Sequence, residues 1–249
     1  MPEFPRITDH LIVLLLGCLL PFASGIRGRD AMKDMVFTEQ VRRRFFVSNS
    51  LFLIASAGVV VLHWHWRGRP LEAMGFRASL KTGDAATMAV LSALMLLAYS
   101  AHLLLSLRNI AARTRMRRDI VERTPFLPRH ARELPAYVLM CAAAGVCEET
   151  IYRGYMVTYF LPETNLRSGP PLLALLFPAV IFGLAHYYQG WEAVVKIMLM
   201  SLLLAGMFIA GGALWPVILV HFGIDLVGGL IAMPVLRKHD AGLPVSEGD

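Results

Sequence analysis

Residues 135–160 read PAYVLMCAAAGVCEETIYRGYMVTYF, and the fold turns on how this stretch is understood. It is apolar over the roughly 20 residues that a bilayer crossing requires. Backbone polar groups in hydrocarbon must pair within their own segment, so a spanning stretch of this kind is a helix. Pro135 stands where a first helical turn tolerates proline. Yet the stretch carries Glu148, Glu149 and Arg153 in its interior. Charge at bilayer depth is costly, and it is kept where it serves a site or a paired internal network.

Six further apolar blocks surround this one, at residues 7–26, 46–64, 85–107, 171–188, 191–210 and 214–233. The predicted fold is therefore all-α: a polytopic membrane helix bundle of about seven transmembrane helices, or eight if a block is split or a half-helix re-enters. Composition agrees. Of 249 residues, 56% are hydrophobic and 17% charged, whereas soluble domains run at about 45–50% and about 25%. This excludes a soluble globular protein, a disordered chain and a disulfide-stapled secreted domain. No alternating segments of strand period occur, so an outer-membrane barrel is excluded as well. The flank MPEFPR has too little positive charge for a signal peptide. Cys18, Cys141 and Cys147 lie in apolar blocks without CxxC spacing and read as small core residues.

The formal net charge is +6. Most basic residues fall after the first and third blocks, which places the N-terminus outside and the C-terminus in the cytoplasm. Membrane lipids with anionic headgroups are the expected partners of these connections. No basic stripe interleaved with aromatics points to nucleic acid. Residues 30–45 read equally as an interfacial amphipathic helix or as a charged connection. His63 and His65, beside Trp64 and Trp66, suggest an interfacial belt. The chain divides into N-terminal transmembrane helices with basic cytoplasmic loops (1–134), a core (135–235) and a polar tail (236–249), folding as one membrane domain.

Ionisable groups recur in three blocks. In CEETIYR, Glu149 and Arg153 are four apart and share a helix face. Glu148 is rotated by about 100° and lacks a local cationic partner, which suits a general acid or base. The bland reading is a salt-bridged turn at headgroup level. In FGLAH, Phe182 and His186 share a face, and Pro178 one turn earlier frees a carbonyl and can kink the helix. Taken alone, such a histidine reads as an interfacial anchor beside Tyr187 and Tyr188. In HFGID, Asp225 lies one turn from His221 and can orient its ring. If the three helices are neighbours, Glu148, His186, His221 and Asp225 converge in one polar pocket. These four residue types suit a divalent metal such as zinc, and suit metal-free activation of water equally well. There is no HExxH.

The ordered trio EETIYR, FGLAH and HFGID resembles the CPBP family, the type II CAAX prenyl protease and bacteriocin-processing or self-immunity group of intramembrane proteases, also called Abi. The resemblance covers roughly residues 135–235, making that segment the catalytic core. It implies a helical bundle with a cavity and an endopeptidase that hydrolyses a peptide bond near the membrane face. Glu148 would activate the attacking water, helped by His186. His221 and Asp225 would stabilise the oxyanion, and the Glu149–Arg153 pair would position Glu148. Some members carry asparagine where this chain has Asp225, and a carboxylate donates a hydrogen bond only when protonated. Asp225 is thus expected to act through His221 or to ligate a metal. The expected substrate is a membrane-associated peptide or protein. Twenty arginines against four lysines hint at a bacterial cytoplasmic membrane. The competing readings are a non-proteolytic scaffold or self-immunity protein and a small ion-coupled transporter. The latter would show internal repeats, and none is visible.

Overall fold

The computed structural model describes residues 6–80, 85–163 and 172–240. Eight helices account for most of them, and no strand occurs among the described residues. Helix α1 is Ile7–Ile12 continued through a π-helical stretch, Val13–Leu19, into Leu20–Asp34. Helix α2 is Glu39–Trp66, α3 is Ala85–Leu105 and α4 is Ile110–Arg123. Helix α5 is Leu134–Glu149, running on through a π-helical stretch, Thr150–Val157, into Thr158–Glu163. Helices α6, α7 and α8 are Leu172–Ala185, Trp191–Gly211 and Trp215–Asp240.

Six of these helices are long and apolar enough to cross a membrane: α1, α2, α3, α5, α7 and α8. The predicted block at 171–188 forms α6, whose described part has 14 residues. At 1.5 Å per residue this is about 21 Å, short of a bilayer core of about 30 Å. The helix stops because His186 leaves helical geometry and a 3₁₀ turn, Tyr187–Gln189, reverses the chain at Gly190, whose φ is +91°. Pro171 lies outside the described residues.

Helix α5 is the axis of the bundle. It packs against α2 on one side and α8 on another, and its π-helical half meets α1, α6 and α7. Its start is fixed by a buried ion pair. Arg42 Nε in α2 donates to Glu133 Oε1 at 2.6 Å, while Glu133 Oε2 accepts the backbone N–H groups of Arg129 and His130 at 2.6 and 2.8 Å. Close approach to α8 depends on Gly145. A Cβ there would stand 3.2 Å from both the Ile218 carbonyl oxygen and the Phe222 nitrogen. Tyr137 Oη then donates to the Asp225 carbonyl at 2.7 Å, locking the two antiparallel helices in register.

Several sequence expectations are corrected. Residues 30–45 are no separate interfacial helix: α1 runs to Asp34 and α2 starts at Glu39, with the Thr38 side chain capping Val41 N–H. The basic connection after α3 is itself partly helical. Asn109 caps α4 by accepting from Ala112 N–H at 2.8 Å, and Ile120 packs on Ala232, Val235 and Leu236 of α8. The His63–Trp66 group is not wholly an outward belt. Trp66 is exposed, but Trp64 is buried and donates to the Pro70 carbonyl at 3.0 Å. His63 Nε2 meets Asp9 Oδ1 at 3.0 Å. Asp9 also takes a two-pronged bond from Arg69 at 2.7 and 2.8 Å and the Tyr155 hydroxyl at 3.0 Å, which ties the start of α1 to α5. Helix α8 continues to Asp240, into the expected polar tail; residues 241–249 lie outside the described residues. Cys141 and Cys147 are buried and Cys18 half-buried, and all three are free thiols.

Candidate active site

Glu148 and Glu149 occupy the last turn of the regular part of α5, immediately before its widened π-helical stretch. Such widened turns occur in short pieces and often at functional sites. Adjacent positions project in different directions, and the two carboxylates have different surroundings. The Glu149 side chain is fully buried and that of Glu148 is 18% exposed.

Glu149 Oε1 is shared. It accepts from Arg153 Nη1 at 2.7 Å and from His221 Nδ1 at 2.7 Å. Its second oxygen is buried and has no hydrogen-bonding partner among the described residues. Arg153 is fully enclosed. Nη2 donates to Ser201 Oγ at 2.8 Å in α7, and the guanidinium lies over the Phe182 ring of α6 at 4.9 Å. A buried guanidinium is tolerable because its donors and its face are both occupied. The Glu149–Arg153 pair predicted from spacing is present. Its carboxylate, however, holds His221 and not Glu148.

His221 is the meeting point of the site. With Nδ1 on Glu149, its Nε2 faces Glu148 Oε2 at 3.7 Å and Asp225 Oδ2 at 3.6 Å. Both separations exceed a direct hydrogen bond but lie within ion-pairing distance of a protonated ring. Asp225 was expected to orient the ring. The bond that orients it comes from Glu149 instead, since a neighbour one turn along α8 reaches Nε2 and a carboxylate on the facing helix reaches Nδ1. Asp225 is the most open of the acids, at 35%.

His186 follows the last residue of α6. Its Nδ1 is 2.8 Å from the Phe182 carbonyl, so Nδ1 carries the proton and Nε2 is left as an acceptor. The Phe182 ring lies between the two imidazoles, with centroids 4.8 Å from His186 and 6.0 Å from His221. Residues from α5, α6 and α8 thus meet around one aromatic ring. Ser201, Phe182 as an Arg153 contact, and Tyr137 were not singled out from the sequence. Helical spacing shows only neighbours on one helix, and these contacts cross between helices.

Glu148, His186, His221 and Asp225 are the residues expected to suit a divalent metal. A zinc ion takes about four ligands at roughly 2 Å. Among the described residues no three His, Cys, Asp or Glu side chains are grouped to hold a metal ion. Glu149 Oε1 is taken by Arg153 and His221, so the buried carboxylate is already occupied by protein donors.

These features define a polytopic helical membrane protein with a buried acid–imidazole cluster at the junction of three helices. Residues 130–227 match the family described as type II CAAX prenyl endopeptidase, Rce1-like, which is the family that the three motifs resemble. The match takes in Glu148, Glu149, Arg153, His186, His221 and Asp225 and leaves out α1 to α4. By its description the matched family is one of CAAX prenyl endopeptidases. No curated protein and no solved structure matches the chain.

Proposed function

We propose that the protein is an intramembrane endopeptidase in which Glu148 activates water without a metal ion. The observation that carries this reading is the arrangement on His221: Glu149 at Nδ1, with Glu148 and Asp225 flanking Nε2 at 3.7 and 3.6 Å. A water seated beside Glu148 gives its proton to that carboxylate as its oxygen bonds to the scissile carbonyl carbon. His186 Nε2, a free acceptor, holds the water's second hydrogen and so aims its lone pair. The carbonyl π electrons move to oxygen, and that oxyanion accepts a hydrogen bond from His221 Nε2–H. Glu149 supports the doubly protonated ring from the other side, as preorganised donors do at developing charge. Glu148 then delivers its proton to the amide nitrogen, the C–N bond breaks, and an amine and a carboxylic acid leave. Asp225 borders the same gap and sets the polarity at its more open end.

The substrate in this reading is a membrane-associated peptide or protein. The matched family's name points to prenylated CAAX ends, which makes a prenylated CAAX peptide and its unprenylated twin the first probes. The test is hydrolysis of both by the purified full-length protein and by Glu148→Gln. General-base loss is expected to lower the rate by about 10²- to 10⁴-fold. A Glu148→Gln protein that cleaves at the wild-type rate overturns the assignment.

A further inference from the structure

We infer that α1, which lies outside the matched segment, positions His186 for the proposed reaction, with Arg29 acting as a positioning residue through Tyr187. The inference rests on the proposed role of His186, and it begins with how little local structure holds that residue. His186 has left α6, with φ −95° and ψ +15°, and is followed by a single 3₁₀ turn that ends at a glycine of positive φ. The ring keeps its Nδ1 bond to the Phe182 carbonyl, but the backbone that carries it continues only into this lone turn. The turn is instead gripped from outside. A Cβ on Gly25 would come within 2.8 Å of the Leu184 carbonyl oxygen and 2.9 Å of that of Ala185, so α1 lies directly on the backbone just before His186. One helical turn further on, Gly28 faces Tyr188: a Cβ on Gly28 would stand 3.6 Å from Tyr188 Cβ. Arg29 lies over the Tyr187 ring at 4.9 Å and donates from Nη1 to the Tyr187 hydroxyl. Residues 184, 185, 187 and 188 are thus all touched by the stretch from Gly25 to Arg29. Tyr188 passes the restraint on, since its ring stands 5.9 Å from that of His186.

The two glycines permit the close approach, and the arginine fixes its sense by combining a stacked cation with a hydrogen bond on one ring. Positional errors on the order of 1 Å in a catalytic group cost about a hundredfold in rate. Loosening this grip should therefore lower turnover and leave substrate affinity nearly untouched.

The experiment uses the purified full-length protein with the prenylated CAAX peptide as probe and Glu148→Gln in parallel. Arg29→Ala is expected to lower kcat by about ten- to a hundredfold with KM within about twofold. Arg29→Lys keeps a cation over the ring and is expected to restore most of kcat. Tyr187→Phe keeps the ring, loses the hydroxyl and falls between. Wild-type kcat in Arg29→Ala, alongside an inactive Glu148→Gln, overturns the inference and leaves the proposed function standing. An active Glu148→Gln removes the proposed function first. If Arg29→Ala fails to fold, Tyr187→Phe and a cross-link decide. Gly28→Cys with Tyr188→Cys, in a background lacking Cys18, Cys141 and Cys147, should oxidise to a disulfide, because 3.6 Å is within the Cβ separation such bonds require. An absent cross-link, or unchanged kcat in Tyr187→Phe, then counts against the inference.

Discussion

His221 Nδ1 and Glu149 Oε1 are 2.7 Å apart although 72 residues separate them in the chain, and this bond joins the ion pair of α5 to the imidazole of α8. It makes Glu149 a support for the oxyanion donor and separates its role from that of Glu148. The two adjacent acids should consequently fail in different ways.

Glu148→Gln should lower cleavage by about 10²- to 10⁴-fold while leaving thermal unfolding nearly unchanged, because Glu148 is partly exposed and its ion pair with His221 Nε2 is long, at 3.7 Å. Glu149→Gln should damage both. It removes the charge that balances a fully enclosed Arg153, and breaking a buried pair costs about 3–5 kcal/mol. Parallel rate and unfolding measurements in one detergent separate the two; equal unfolding temperatures for both variants would contradict the division.

Arg153→Met should destabilise the fold more than Arg153→Met combined with Glu149→Gln. The single variant leaves a buried carboxylate resting on His221 alone, whereas the double variant removes both members of the pair. A coupling energy of about 0.5–3 kcal/mol is expected from the double-mutant cycle, measured by thermal unfolding.

Gly145→Leu should reduce activity by separating α5 from α8. Even a single Cβ at this site would stand 3.2 Å from backbone atoms of Ile218 and Phe222, and overpacking costs about 1–3 kcal/mol. The displacement falls one turn from Glu149 and beside His221, so the loss should be mainly in kcat. Steady-state kinetics on the folded fraction checks this.

Chelation should leave activity unchanged, since no three His, Cys, Asp or Glu side chains among the described residues are grouped to hold a metal ion. Incubation with a strong zinc chelator, followed by metal analysis and a rate measurement, tests the metal-free step. Activity that is lost with chelator and regained with added zinc would overturn it.

The spans were legible because hydrophobic blocks of bilayer length leave few alternatives to a helix. Seven of the eight helices coincide with such blocks. Helix α4 escaped because its arginines mask a short apolar face, although Asn109 as a cap and Met116 and Ile120 at four-residue spacing were available signals. The Glu149–Arg153 pair could be read because both partners lie on one helix. Partners on different helices leave no periodic trace, so Ser201 under Arg153, Glu149 on His221 and Asp9 on Arg69 emerged only from the folded bundle. The π-helical stretches at Val13–Leu19 and Thr150–Val157 are likewise set by packing and leave no compositional mark.

That Arg153 finds its counter-charge four residues earlier on the same helix bears on biosynthesis. Each lone charge at mid-bilayer raises the cost of membrane insertion by about 2.5–3.5 kcal/mol on translocon scales. Glu149 and Arg153 can neutralise each other as soon as α5 coils, before Ser201 and His221 have left the ribosome. The nascent segment can therefore enter lipid with one uncompensated acid, Glu148, in place of three separate charges, and the later helices close around a pair that is already made.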